Sequence, residues 1–190
     1  MKTIYLVRHG EYDNPRNIIP GLLPVELSEK GRAQAEELKE YFKDKNVEVI
    51  YASAVQRTTQ TAKVISDGKI TILNDIRIIE VLSAYQGFWE TVWDNAYSHI
   101  KTLGGESHKN VYDRMVSFFE DVKKMKYENI IICSHGDPIY FLLHYIVGKP
   151  LPKEGDEHEP TVLIEYPALA SVNEVKIADN GMMSLNQIKL

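Results

Sequence analysis

The sequence predicts an α/β fold: a three-layer α/β/α sandwich with a mostly parallel central sheet. Two observations carry this reading. Strand-like and helix-like segments alternate along almost the whole chain, the order that a parallel sheet with helical crossovers requires. The segment NIIICS (residues 129–134) sets four apolar residues in a row, as a strand covered on both faces must, whereas a strand wet on one face would alternate. A chain of 190 residues suits one domain with a sizeable core. No linker divides it, so a single domain over 1–190 is expected.

Residues 2–8 (KTIYLVR) read as the first strand, rich in β-branched and aromatic side chains and followed by a break at Gly10. Residues 11–27 are rich in Pro, Gly and Asn and predict a long surface loop, of the kind that often carries function. Ser28 predicts an N-cap. Behind it, Ala35, Leu38, Tyr41 and Phe42 form an apolar stripe at helical spacing to about residue 44. Residues 47–52 predict a second strand, 54–66 a second helix, and 70–73 a third strand. Residues 74–104 hold both tryptophans, Trp89 and Trp93, and read as loop plus irregular helix. Val111, Met115, Phe119 and Val122 mark a helix over 107–125. After the strand at 129–134 come a helix from Pro138 to about Val147, an acidic, Pro-rich loop at 150–160, and strands near 170–178 and 183–189.

Composition excludes several function classes. The net charge is -5, with no Lys/Arg-rich run, which argues against a nucleic-acid or anionic-membrane partner. No apolar run approaches the roughly 20 residues that span a bilayer. The apolar N-terminal stretch is too short for a signal segment and ends in Arg8 and His9. The single cysteine, Cys133, allows neither an internal disulfide nor a thiolate cluster, and mid-strand it reads as an inert buried thiol. A cytoplasmic protein is expected, its oligomeric state open.

Parallel sheets bind ligands beyond the carboxyl ends of their strands, which directs attention to VRHGE (7–11) and CSHGD (133–137). In each, a buried strand ends in a polar residue followed by His-Gly, and the glycine permits a sharp turn close to a ligand. Adjacent parallel strands would set His9 and His135 side by side. Asp137-Pro138 reads as N-cap and first helical residue, so a helix N-terminus would favour an anion there. Arg57 falls near the same edge, one turn into the helix after Ser53. Arg8, Arg57, His9 and His135 together suit a phosphate. Arginine offers a permanently charged fork of donors, and neutral imidazole is a competent nucleophile near pH 7.

These segments resemble the histidine phosphatase superfamily, the phosphoglycerate mutase-like fold. The resemblance rests on LVRHGE (6–11), SAVQRTTQTA (53–62), GGES (104–107) and SHGDP (134–138), supported by GLLPVELSEKGRAQA (21–35). It implies that His9 is phosphorylated, that Arg8 and Arg57 bind phosphate oxygens, and that His135 stabilises the phosphoryl group in transfer, with no metal or organic cofactor. It also implies an acid after the third strand. Glu80 in RIIEVLSAYQGFWE (77–90) is the best match, although Gly87 follows at a longer gap than usual, and Glu90 and Glu11 stand as alternatives. The first loop departs from the family pattern at Tyr12 and Pro15, so Asn14 or Asn17 is expected to take over a phosphate contact and Arg16 to meet substrate.

The expected activity is hydrolysis of a small phosphorylated substrate. The alternatives are a mutase (usually longer in this family), a metal-dependent hydrolase built on the same histidines, and a binding module that keeps the fold without turnover. His144, among Leu142, Leu143 and Tyr145, reads as packing. His99, His108 and His158 have no companion signal, and Trp89 and Trp93 read as core or pocket wall.

Overall fold

The structure is a computed structural model and describes residues 1–82, 105–152 and 164–190. In chain order these form β1 (Lys2–Arg8), α1 (Glu29–Phe42), β2 (Val49–Ala52), α2 (Gln56–Ser66), β3 (Thr71–Asn74), a 3-10 turn (Ile76–Ile78), α3 (His108–Lys124), β4 (Asn129–Ser134), α4 (Gly136–Ile146), β5 (Val172–Ile177) and β6 (Met183–Ile188). Among the described residues the predicted strands and helices are present with shifts of a few residues at their ends; the irregular segment expected over 74–104 lies outside them from residue 83 on. The expectations for Glu90, Trp89, Trp93, His99 and His158 lie outside the described residues.

Six strands form one sheet in the order β3-β2-β4-β1-β5-β6 among the described residues. The four strands from β3 to β1 are parallel, and β5 and β6 close the sheet antiparallel. Period-two alternation sends neighbouring side chains to opposite faces. Ile4, Leu6, Ile130 and Ile132 meet α3 and α4 through Met115, Phe118, Phe119, Phe141 and Leu142. Tyr5, Val7, Ile131 and Cys133 meet α1 and α2 through Leu38, Phe42, Ala62 and Ile65. Helices therefore cover both faces, which is why β4 has no polar side to alternate. Burying each large apolar side chain stabilises by about 1.5–3 kcal/mol.

Ser28 caps α1 as expected, its hydroxyl accepting from Gly31 N at 3.0 Å. Asp137 is a correction. Helix α4 begins at Gly136, with His135 as its extended N-cap residue, so Asp137 lies in the first turn and Tyr166 Oη donates to its carboxylate at 2.8 Å. The physical reason is steric and tertiary. The chain turns into the helix directly at the strand end, beneath Tyr166. A Cβ on Gly136 would come within 2.1 Å of the Tyr166 oxygen. His144 packs as predicted, buried against Tyr140 with Nδ1 donating to Pro150 O at 2.7 Å. Among the described residues no helix is long and apolar enough to cross a membrane.

Candidate active site

Three parallel strands end at the same edge. β1 and β4 run in register with Arg8 opposite Ser134, and β2 pairs Ala52 with Cys133. The next residue of each strand is His9, His135 and Ser53, all buried. The two imidazole rings lie 5.1 Å apart, centroid to centroid. Adjacent Val-Arg-His-Gly and Cys-Ser-His-Gly segments thus become neighbours because their strands pair without offset.

His9 Nδ1 lies 2.8 Å from the carbonyl oxygen of its neighbour Gly10. A carbonyl only accepts, so Nδ1 carries the ring proton and Nε2 keeps its lone pair. Arg57 Nε donates to that Nε2 at 3.1 Å. Burial above all, with His135 and the two arginines, pulls the His9 pKa well below its ordinary 6.5. The ring is neutral at pH 7.

Arg57 is wholly buried and ties the cluster together. Its Nη2 donates to Glu80 Oε2 at 3.1 Å and to Gly21 O at 3.0 Å, and lies 3.2 Å from His135 Nδ1. That ring nitrogen is also 3.3 Å from Glu80 Oε2. His135 Nε2 meets the Ser53 hydroxyl at 2.8 Å. A hydroxyl can donate or accept, so Ser53 fits either tautomer of His135. Burial lowers His135 to about 4, with Arg57 and Arg8 adding to it against the pull of Glu80. For Glu80, burial alone would raise the pKa; the His135 ring and the Arg57 guanidinium outweigh it and hold the carboxyl below its ordinary range. An acid catalyst needs a carboxyl that can hold a proton near neutral pH; Arg57 lying on Glu80 keeps this one ionised in the free site.

Two donors in this region lack a protein partner among the described residues: Arg8 Nε and Arg57 Nη1. Buried N–H groups are rarely left unbonded. An anion with several oxygens would satisfy them, and two guanidiniums beside two neutral imidazoles form a cationic setting for it in an acidic protein.

The family model for the histidine phosphatase superfamily (branch 1) matches residues 4–182. The chain belongs to this superfamily. It is 30% identical over 171 residues to "Phosphoserine phosphatase 1" of Hydrogenobacter thermophilus, covering 80% of each chain. It is 25% identical over 166 residues to "Adenosylcobalamin/alpha-ribazole phosphatase" of Escherichia coli, covering 77% of this chain and 80% of that one. Among solved structures, Bacillus stearothermophilus YhfR superposes with a TM-score of 0.84 at 24% identity, covering 98% of this chain and 96% of that chain. That likeness supports the fold.

In this superfamily member Glu80 is, among the described residues, the carboxylate that reaches the histidine pair. Glu11 instead accepts from Ser28 Oγ at 2.9 Å and pairs with Lys30 at 2.9 Å, at the start of α1. Asn14 turns its carboxamide back into its own loop, donating to Ile18 O at 2.9 Å and accepting from Ile18 N at 3.1 Å. Arg16 and Asn17 are exposed. The structure brings Arg8, His9, Arg57, Glu80 and His135 together and leaves Asn14 and Arg16 on the first loop, apart from the hydrogen bonds of the histidine pair.

Sequence reasoning missed three contributors. Tyr12 lies 5.6 Å from the His9 ring and 5.4 Å from Arg57 Cζ. Tyr166 lies 5.4 Å from Arg8 Cζ, while Arg8 Nη1 donates to Pro167 O at 2.7 Å. Ser53 had a usable signal, since it follows a strand end just as both histidines do. Tyr166 had none, because only the return of the chain toward β5 brings it over Gly136.

Proposed function

We propose that the chain is a phosphatase that hydrolyses small phosphate monoesters through a phosphohistidine on His9. The observation that carries this reading is the Nδ1–H bond to Gly10 O, which puts the lone pair of a neutral ring on His9 Nε2, where Arg57 Nε holds it until substrate draws the arginine away. In the first step Nε2 attacks phosphorus, the bond from phosphorus to the leaving oxygen breaks, and Glu80 gives that oxygen a proton. In the second step water attacks phosphorus, Glu80 takes the water proton, and the P–N electron pair returns to Nε2. Arg8, Arg57 and His135 hold the phosphoryl oxygens while charge builds on them, the kind of stabilisation that dominates phosphoryl transfer.

Glu80 must be protonated for the first step, although it is ionised in the free site. A bound phosphate supplies the reason for the change. It competes for Arg57 and His135 and sets negative charge beside the carboxylate, and both effects raise a carboxyl pKa. The phosphoserine and α-ribazole phosphatase relatives support a small phosphorylated metabolite as substrate.

His9, Glu80 and His135 also offer ligand atoms within 4.8 Å of one another, the grouping a metal-dependent hydrolase would use. The arginine argues against that reading. Arg57 already donates to His9 Nε2 and to Glu80, so a cation there would face a buried guanidinium. The test is alkali-quenched turnover of 4-nitrophenyl phosphate with phosphorus NMR of the denatured protein, since the P–N bond survives base and not acid. A phosphoramidate signal lost in His9→Ala, inhibition by vanadate and indifference to chelators are expected. Full hydrolysis by His9→Ala, or loss of activity to a chelator restored by metal, would overturn the proposal.

A further inference from the structure

Glu80 lies on an irregular segment between the 3-10 turn and residue 82. Such a segment has no ladder to hold its carbonyls, and each buried one needs another partner. One side chain of α3 supplies most of them. Arg114 Nη1 donates to Arg77 O at 2.6 Å and to Ile79 O at 2.9 Å, and Nη2 to Glu80 O at 3.3 Å. Ile78 O, between them, accepts from Ser134 Oγ at 2.7 Å, which ties the same stretch to the residue before His135.

Arg114 is itself held. Its Nε and Nη2 make a two-pronged contact with the carboxylate of Glu106, at 2.7 and 2.9 Å. Glu106 continues past Glu80: its Oε2 accepts from Leu82 N and its backbone N–H donates to Leu82 O, both at 3.0 Å. The pair therefore grips the chain on both sides of Glu80. Both partners are shielded, with side chains 15% and 19% exposed, and a planar fork can bridge a carboxylate and three carbonyls where a single ammonium cannot.

We propose that Arg114, locked by Glu106, is a positioning residue that sets the Glu80 carboxylate against the leaving oxygen of the substrate. It touches no reacting atom. This inference rests on the reading of Glu80 as proton donor. It has a signature that a purely structural role lacks: a misplaced acid harms substrates with a basic leaving oxygen, which need the proton, far more than substrates whose leaving group departs readily as an anion.

The experiment compares kcat/KM for phenyl phosphate and 4-nitrophenyl phosphate in wild type, Arg114→Lys, Glu106→Gln, Glu80→Gln and the Arg114→Lys/Glu80→Gln double variant. Small displacements of a catalytic group cost up to about 100-fold. Arg114→Lys is expected to lose about that for phenyl phosphate and less than about tenfold for 4-nitrophenyl phosphate. In the Glu80→Gln background the same lysine substitution is expected to cost little more, because residues acting through one another are non-additive. Glu106→Gln is expected to repeat the pattern and carries the comparison alone if Arg114→Lys does not fold. Equal losses on both substrates, or full additivity with Glu80→Gln, would overturn the positioning role. A Glu80→Gln variant with no leaving-group preference would instead remove the acid assignment beneath it, so the two failures are distinguishable.

Discussion

Arg57 Nε sits 3.1 Å from His9 Nε2 and donates to it, so the lone pair assigned to attack is covered by an arginine in the free protein. The same guanidinium reaches Glu80 and lies against His135. Substrate must redirect this one side chain, and the first expectations concern what happens when it changes.

Arg57→Lys keeps a positive charge and loses the fork. Removal of one preorganised donor to a developing oxyanion costs about 10²–10³-fold in turnover, and a similar fall in kcat is expected here. Because Arg57 is wholly buried, Arg57→Ala is expected to recover part of its activity with added guanidinium. Steady-state kinetics with and without guanidinium check this; wild-type kcat in Arg57→Lys would contradict it.

Glu80→Gln is expected to separate binding from turnover. The carboxylate occupies Arg57 Nη2 and faces His135 Nδ1, two groups that a phosphate needs, and it repels a second anion. Like charges near 4 Å interact by about 4 kcal/mol at an effective dielectric of 20, so roughly tenfold or more tighter inhibition by vanadate is expected while kcat falls. Inhibition titrations decide it, and weaker vanadate binding in the variant would refute the competition.

Acid is expected to destabilise the fold through its histidines. His135 is lowered to about 4 and His9 well below 6.5, chiefly by burial. Unfolded imidazoles bind protons near pH 6.5. Below that the unfolded state takes up protons that the native site refuses, so stability is full above about pH 6.5 and declines as pH falls toward 4. His135 alone accounts for roughly 3 kcal/mol of that decline. Glu80, also lowered, acts in the same sense at more acid pH. Unfolding midpoints between pH 7 and 4 measure it, and His135→Asn should flatten the curve.

Gly31→Ala tests how α1 supports the loop after β1. A Cβ there would lie 1.8 Å from the Glu11 carbonyl oxygen, and the neighbour is backbone, which cannot swing aside. Overpacking of this kind costs about 1–3 kcal/mol, or roughly 5 °C in Tm for a chain of this size. Calorimetry reads the shift. Since Gly10 lies against Gly31 in turn, a fall in kcat larger than for other variants of equal stability is also expected.

The parallel sheet was legible because NIIICS admits no wet face, and the covering helices because their apolar stripes keep helical spacing. The pairing of His9 with His135 was legible too, since two strand ends with the same His-Gly ending become neighbours once the strands are adjacent. Glu80 stood among three carboxylates because a carboxylate on an irregular segment has no periodicity to aim it.

The order of residues along the chain therefore determined the layers, the strand ends and the four cationic or imidazole groups gathered there, all of which follow from local periodicity and register. Tertiary structure alone decided the rest: that Arg57 bridges His9 and Glu80, that α4 starts at Gly136 beneath Tyr166, and that Arg114 reaches from α3 to hold the chain at Glu80. These contacts join residues distant in sequence through side chains whose direction depends on what else is packed around them, and local pattern carries no record of that.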